Sequence, residues 1–141
     1  MNDILSLKHI LEGQQATYQR MLDMEDEKSQ ALIKGDTRSL IKVMSEQQAL
    51  MVQAKGLEDR RLALTSGMEY KTLGALVMSS PECREALEPV FLALSQTVKA
   101  LRKKNAKNRR LLESRLATIR FMNERLGLTP NTYARGVQVR A

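Results

Sequence analysis

The chain has 141 residues, 43% of them apolar, with no tryptophan and 4% aromatics. That suits one domain with an aliphatic and methionine core, and excludes the aromatic, β-branched make-up of a typical β-sandwich. One cysteine excludes an internal disulfide and fits a reducing compartment, one histidine leaves no zinc set, and the net charge of +7 points to an anionic partner.

From Asn2 to Lys34 the pattern predicts one helix. Ile4, Leu7, Leu11, Tyr18, Met21 and Leu32 recur at three- and four-residue steps. Gln14, Glu25 and Lys28 interrupt that stripe. Gly13 costs about 1 kcal/mol in helix propensity, which packing must offset. The acidic run Asp23, Glu25, Asp26, Glu27 reads as a solvated face.

Gly35-Asp36 is a stop followed by a start. Glycine tolerates the left-handed conformation that ends a helix, and aspartate offers its carboxylate to the free amides of the next. A turn this short sets the two helices antiparallel. The second helix is expected over 37–64, with Leu40, Val43, Met44, Gln47, Leu50, Met51, Ala54 and Leu57 as its stripe. Its end, Glu58-Asp59-Arg60-Arg61, reads as exposed, and Thr65-Ser66-Gly67 closes it. A short helix is expected within 68–78, with Tyr70, Leu73, Leu76 and Val77 on its apolar face.

Ser79-Ser80-Pro81-Glu82 starts the last helix: a serine cap, a proline in the first turn, an acid at the positive end. Cys83 then sits in that first turn as a small residue. The stripe runs Leu87, Val90, Phe91, Leu94, Val98, Leu101, Asn105, Asn108, Leu112, Leu116, Ile119, Met122, Leu126, and Gly127 and Pro130 stop it. Some 45 residues span roughly 65 Å, so this helix needs partners along its length or projects from the bundle. Asn105 and Asn108 either fix register inside the seam or face water where the helix leaves the bundle. The expected fold is all-α: an elongated antiparallel helical bundle, coiled-coil-like, with three long helices and one short one over residues 1–127. A flexible C-terminal tail follows over 128–141. A helix ending in a polar tail with a single tyrosine, Tyr133, has the form of a docking device.

No catalytic constellation, phosphate loop or dinucleotide motif occurs, so no cofactor or metal is expected and an enzyme is not the reading. Met1-Asn2-Asp3-Ile4 has no basic leader, and Ala75-Leu76-Val77-Met78 is too short to span a bilayer, so a cytoplasmic, soluble chain is expected. Residues 102–141 hold eleven basic and two acidic side chains, while the first 101 residues are net −2. Arg102, Lys103, Lys104, Lys107, Arg109, Arg110, Arg115 and Arg120 lie all around one helix, without interleaved aromatics, which disfavours nucleic acid. A membrane-surface helix is disfavoured because the bundle needs its apolar face. Methionines such as Met44, Met51 and Met122 read first as core filling and second as an adaptable binding surface.

Residues 101–113, Leu-Arg-Lys-Lys-Asn-Ala-Lys-Asn-Arg-Arg-Leu-Leu-Glu, carry two asparagines three apart followed by Leu-Leu-Glu, and residues 132–136 read Thr-Tyr-Ala-Arg-Gly. With the Leu32-Ile33-Lys34-Gly35-Asp36 turn, these make the chain resemble the FlgN family of flagellar type III export chaperones over nearly its whole length. The resemblance implies binding of the hook–filament junction proteins FlgK and FlgL and delivery to the export gate protein FlhA. It implies client contacts at Leu101, Asn105, Asn108, Leu112, Leu116 and Ile119, and gate docking through Tyr133, Arg135 and Gly136. Whether the protein forms a homodimer stays open. Two other readings remain: a FliT-type chaperone for the filament cap protein, which the asparagine pair argues against, and a basic helical nucleic-acid-binding protein.

Overall fold

The computed structural model describes residues 2–70 and 72–127. Among them are four helices: α1 (Asn2–Lys34), α2 (Thr37–Thr65), α3 (Leu73–Val77) and α4 (Pro81–Arg125). The boundaries follow local chemistry. Asp36 caps α2 by accepting from the Ser39 amide at 3.1 Å, and Ser80 caps α4 by accepting from the Cys83 amide. At the end of α1, Gly35 has φ +70°, and Asp36 N–H donates to Ala31 O at 2.9 Å, a Schellman closure. The short helix α3 is smaller than the 68–78 window suggested, with Thr72 as its cap. Pro89 lies inside α4. It withholds one amide from the ladder, and packing of Leu87, Val90 and Phe91 around it carries the helix through.

Helix α1 is the central element. It packs against both α2 and α4, whereas α2 and α4 make no close backbone approach to each other, and α3 packs on α4. Side-chain pairs fix the directions. Gln14 reaches Glu58, Gln53 reaches Thr17 and Gln47 reaches Glu25, so partner numbers fall as α1 proceeds and α2 is antiparallel. Gln15 meets Thr97, Glu25 meets Asn108 and Ile33 meets Arg115, so α4 runs parallel to α1. Gly13 faces Leu57 of α2, and a Cβ there would meet Leu57 Cδ2 at 3.4 Å, an ordinary packing distance.

The apolar core sits at the α3 end, where Leu7, Leu11, Leu76, Val77 and Leu87 are buried together. Further along, the seam turns polar. Glu25 is 2% exposed, not part of a solvated acidic face. Its carboxylate accepts from Gln47 Nε2 of α2 at 2.6 Å, and from Asn108 Nδ2 at 2.9 Å and Asn105 Nδ2 at 3.3 Å, both of α4. Lys28 Nζ stands 3.3 Å away, and Asn108 also donates to the Glu25 backbone carbonyl at 2.8 Å. The asparagine pair therefore belongs to the seam. Burial alone would raise the Glu25 pKa, but the bonds from Asn108 and Gln47 and the charge of Lys28 outweigh it and hold the carboxyl below its ordinary range. Glu58, at the start of the charged run on α2, is half-buried and not exposed, accepting from Gln14 and from both Arg61 Nε and Nη2.

Two outcomes are expected. Glu25→Gln replaces one of the two acceptor oxygens with an NH2 that faces amide donors and removes the charge opposite Lys28, and should lower unfolding free energy by about 3 kcal/mol at pH 7 in a denaturant titration followed by circular dichroism. Because the folded pKa is depressed, this contribution is full above the unfolded carboxyl value of about 4.3 and fades as pH falls through the lower folded value, so the two proteins should converge in acid. Gly35→Ala places a Cβ at positive φ and 3.2 Å from Arg115 Nη1. It should cost about 1 kcal/mol in the same assay.

Candidate functional site

The last level at which α1 supports α4 is Arg115, whose Nη2 donates to Ile33 O at 2.8 Å. This guanidinium satisfies a carbonyl at the end of α1 and places a cation at the negative helix end. Beyond it α1 has stopped and α4 continues for about three turns. That overhang carries exposed apolar side chains: Leu116 (44%), Ile119 (53%), Phe121, Met122 and Leu126 (68%). Leu112, Leu116, Ile119, Asn123 and Leu126 recur at three- and four-residue steps, so the stripe that faces α1 earlier in α4 runs on with no partner among the described residues. Arg120 and Arg125 flank it, and the Arg125 guanidinium lies 5.5 Å from the centre of the Phe121 ring.

The six side chains expected to contact a client divide along α4. Asn108 is buried on Glu25, and Asn105 is half-buried with the same partner. Leu101 and Leu112 are half-buried along the seam, and Leu116 and Ile119 stand free on the overhang. Tyr133, Arg135 and Gly136 lie outside the described residues, as does the 128–141 tail. Sequence reasoning passed over Phe121, which falls off the main stripe. It also placed Met44, Met51 and Met122 first in the core, whereas all three are exposed. A helical projection of α2 holds the missing signal. Val43, Gln47 and Ala54 face α1, and the methionines sit to one side of that line.

A second concave feature follows from α2 and α4 standing apart. A groove of about 1180 Å³ opens between them over α1. Gln14 and Tyr18 form its floor, Glu58 and Leu62 one wall, and Phe91 and Val98 the other. Lys99 and Arg102 rim the α4 wall.

Among the described residues no group of three or more His, Cys, Asp or Glu side chains is placed to hold a metal, and no helix is long and apolar enough to cross a membrane. The surfaces on view are an exposed amphipathic helix end and an open groove.

The family described as "FlgN protein" matches residues 1–136. An uncharacterized protein of Bacillus subtilis (strain 168), YvyG, is 27% identical over 129 residues, covering 88% of this chain and 81% of that protein. No solved structure matches the chain. With the match running from the first turn of α1 past the end of α4, the chain belongs to the FlgN family of flagellar export chaperones.

Proposed function

We propose that this chain is the cytoplasmic chaperone of the hook–filament junction proteins FlgK and FlgL. In this reading it shields their assembly segments and hands them to the gate protein FlhA. The observation that carries the proposal is the overhang of α4, a stripe of Leu116, Ile119, Met122 and Leu126 that the bundle itself does not cover. Proteins that assemble through helical segments expose apolar surface before assembly. An amphipathic helix laid against this stripe buries both surfaces. Exposed methionines suit a surface that must accept two different clients.

Asn105 and Asn108 act one step back from the client. By holding α4 in register on Glu25, they set where the overhang begins. Tyr133, with Arg135 and Gly136, is the proposed gate-docking element, separated in sequence from the client stripe. The basic residues of the overhang favour an acidic client over self-association, since two such ends would repel. Part of the basic set is already engaged inside the fold: Arg115 on the Ile33 carbonyl and Lys104 on Asp26 at 2.8 Å. What remains is not a continuous stripe for a phosphate backbone.

Calorimetric titration with the C-terminal segments of FlgK and FlgL from the same organism should give one-to-one binding with a negative heat-capacity change. Leu116→Glu with Ile119→Glu should weaken it roughly a hundredfold while leaving the melting temperature unchanged, as both side chains are exposed. Absence of heat with either segment would remove the junction-protein reading. Tyr133→Ala should leave client affinity as it is and weaken association with the FlhA cytoplasmic domain. Equal losses on both partners would refute that division of labour.

A further inference from the structure

The groove between α2 and α4 is separate from the overhang, and its walls continue beyond the residues that enclose it. On α2, Glu58, Leu62 and Thr65 line it, and seven-residue steps back from Glu58 reach Met51 and Met44 on the same face. On α4, Phe91, Ser95, Val98 and Arg102 line it, and three- and four-residue steps onward reach Asn105, Arg109, Leu112 and Leu116. The enclosed groove ends where Gln47, Asn105 and Asn108 close over the buried Glu25, and beyond that layer the same helix faces lead on to the exposed stripe of the overhang.

We infer that this groove is the second half of the client site, and that it seats an amphipathic client helix whose acidic edge lies against α4. The inference rests on the chaperone reading above. Two asymmetries select this occupant. The first is chemical. On α2, Leu62 lines the groove beside the mutually paired Glu58 and Arg61, and Met51 and Met44 are the exposed apolar side chains further along the same face, while the α4 side offers Lys99, Arg102 and Arg109, none of which makes an ion pair among the described residues. A helix with apolar side chains toward α2 and carboxylates toward α4 satisfies both walls, as charge complementarity requires. The second is length. From Phe91 to Leu116 α4 rises roughly 38 Å, the span of a helix of about 25 residues, so one client helix can cover groove and overhang together. Three long helices with α1 at the apex and the outer two apart are a four-helix bundle lacking one member. The client supplies it.

The test pairs the C-terminal FlgK segment, titrated as above, with three full-length variants. Met51→Glu with Leu62→Glu puts charge on the apolar wall, and Arg102→Glu reverses the rim. Leu116→Glu with Ile119→Glu serves as the overhang control. Met51 and Leu62 are 59% and 50% exposed, so the groove variant should melt like the parent. Expected are at least tenfold weaker binding for the groove variant and a three- to tenfold loss for Arg102→Glu, the latter shrinking as salt is raised. Parent-like affinity in both groove-side variants, with loss only in the overhang control, overturns the groove proposal and leaves the client reading standing. No binding by the parent protein overturns the client reading itself. A dimer of the free protein that Met51→Glu with Leu62→Glu dissolves would assign the groove to a second copy, and likewise overturns the proposal.

Discussion

One buried carboxylate organises this molecule. Glu25 collects donors from α2 through Gln47 and from α4 through Asn105 and Asn108, with Lys28 of its own helix alongside. Because α2 and α4 make no close backbone approach to each other, their relative height is set largely through α1, and this layer is where both are held at one level. Aliphatic seams tolerate sliding by a turn, because leucine meets leucine equally well. A buried carboxylate does not, because any other register leaves it without donors in a low-dielectric site. The layer thus contributes register more than net stability, as a polar residue in a coiled-coil seam does.

Register matters here because the helices differ in length. α1 and α4 run parallel and in step from Gln15–Thr97 to Ile33–Arg115, and then only α4 is left. Shifting α4 by one turn would change how much of the Leu116–Leu126 stripe stands clear. The core at the α3 end anchors one extremity with Leu7, Leu11, Leu76, Val77 and Leu87, and the polar layer sets the middle. At the other extremity, among the described residues, the apolar side chains of α4 stand exposed. Along the long axis the buried apolar cluster lies toward the α3 end, and the exposed apolar stripe of α4 lies past the level of Gly35. The gap between α2 and α4 extends the same logic sideways, since a bundle of three long helices open at one face keeps apolar walls that a closed one would bury.

Much of this was legible in the amino-acid order. The three long helices, the Gly35-Asp36 turn, the Ser80-Pro81 start and the stripe of α4 follow from propensity, caps and period, which act over a few residues. The seam role of Asn105 and Asn108 is one of two readings open at that level, and so is the projection of the long helix past the bundle, the other being partners along its length. Glu25 was misjudged. In a run with Asp23, Asp26 and Glu27 it looks solvated, although it alone of the four falls on the stripe of Leu11, Tyr18, Met21 and Leu32. Its burial depends on donors 22, 80 and 83 residues away. Met44 and Met51 were misplaced for a related reason. A wide apolar face shows that something is covered, but not by how many neighbours.

By itself, then, the sequence determined the helices, their ends, the uneven charge and the family, because each of these depends on residue type and short spacing. Only the tertiary structure decided that α4 runs parallel to α1, that α2 and α4 stand apart, and that Glu25 is their common partner. It alone decided which part of the long stripe is left uncovered. Those facts depend on which helices meet and at what height, a choice made by side chains that come together only when the chain is folded.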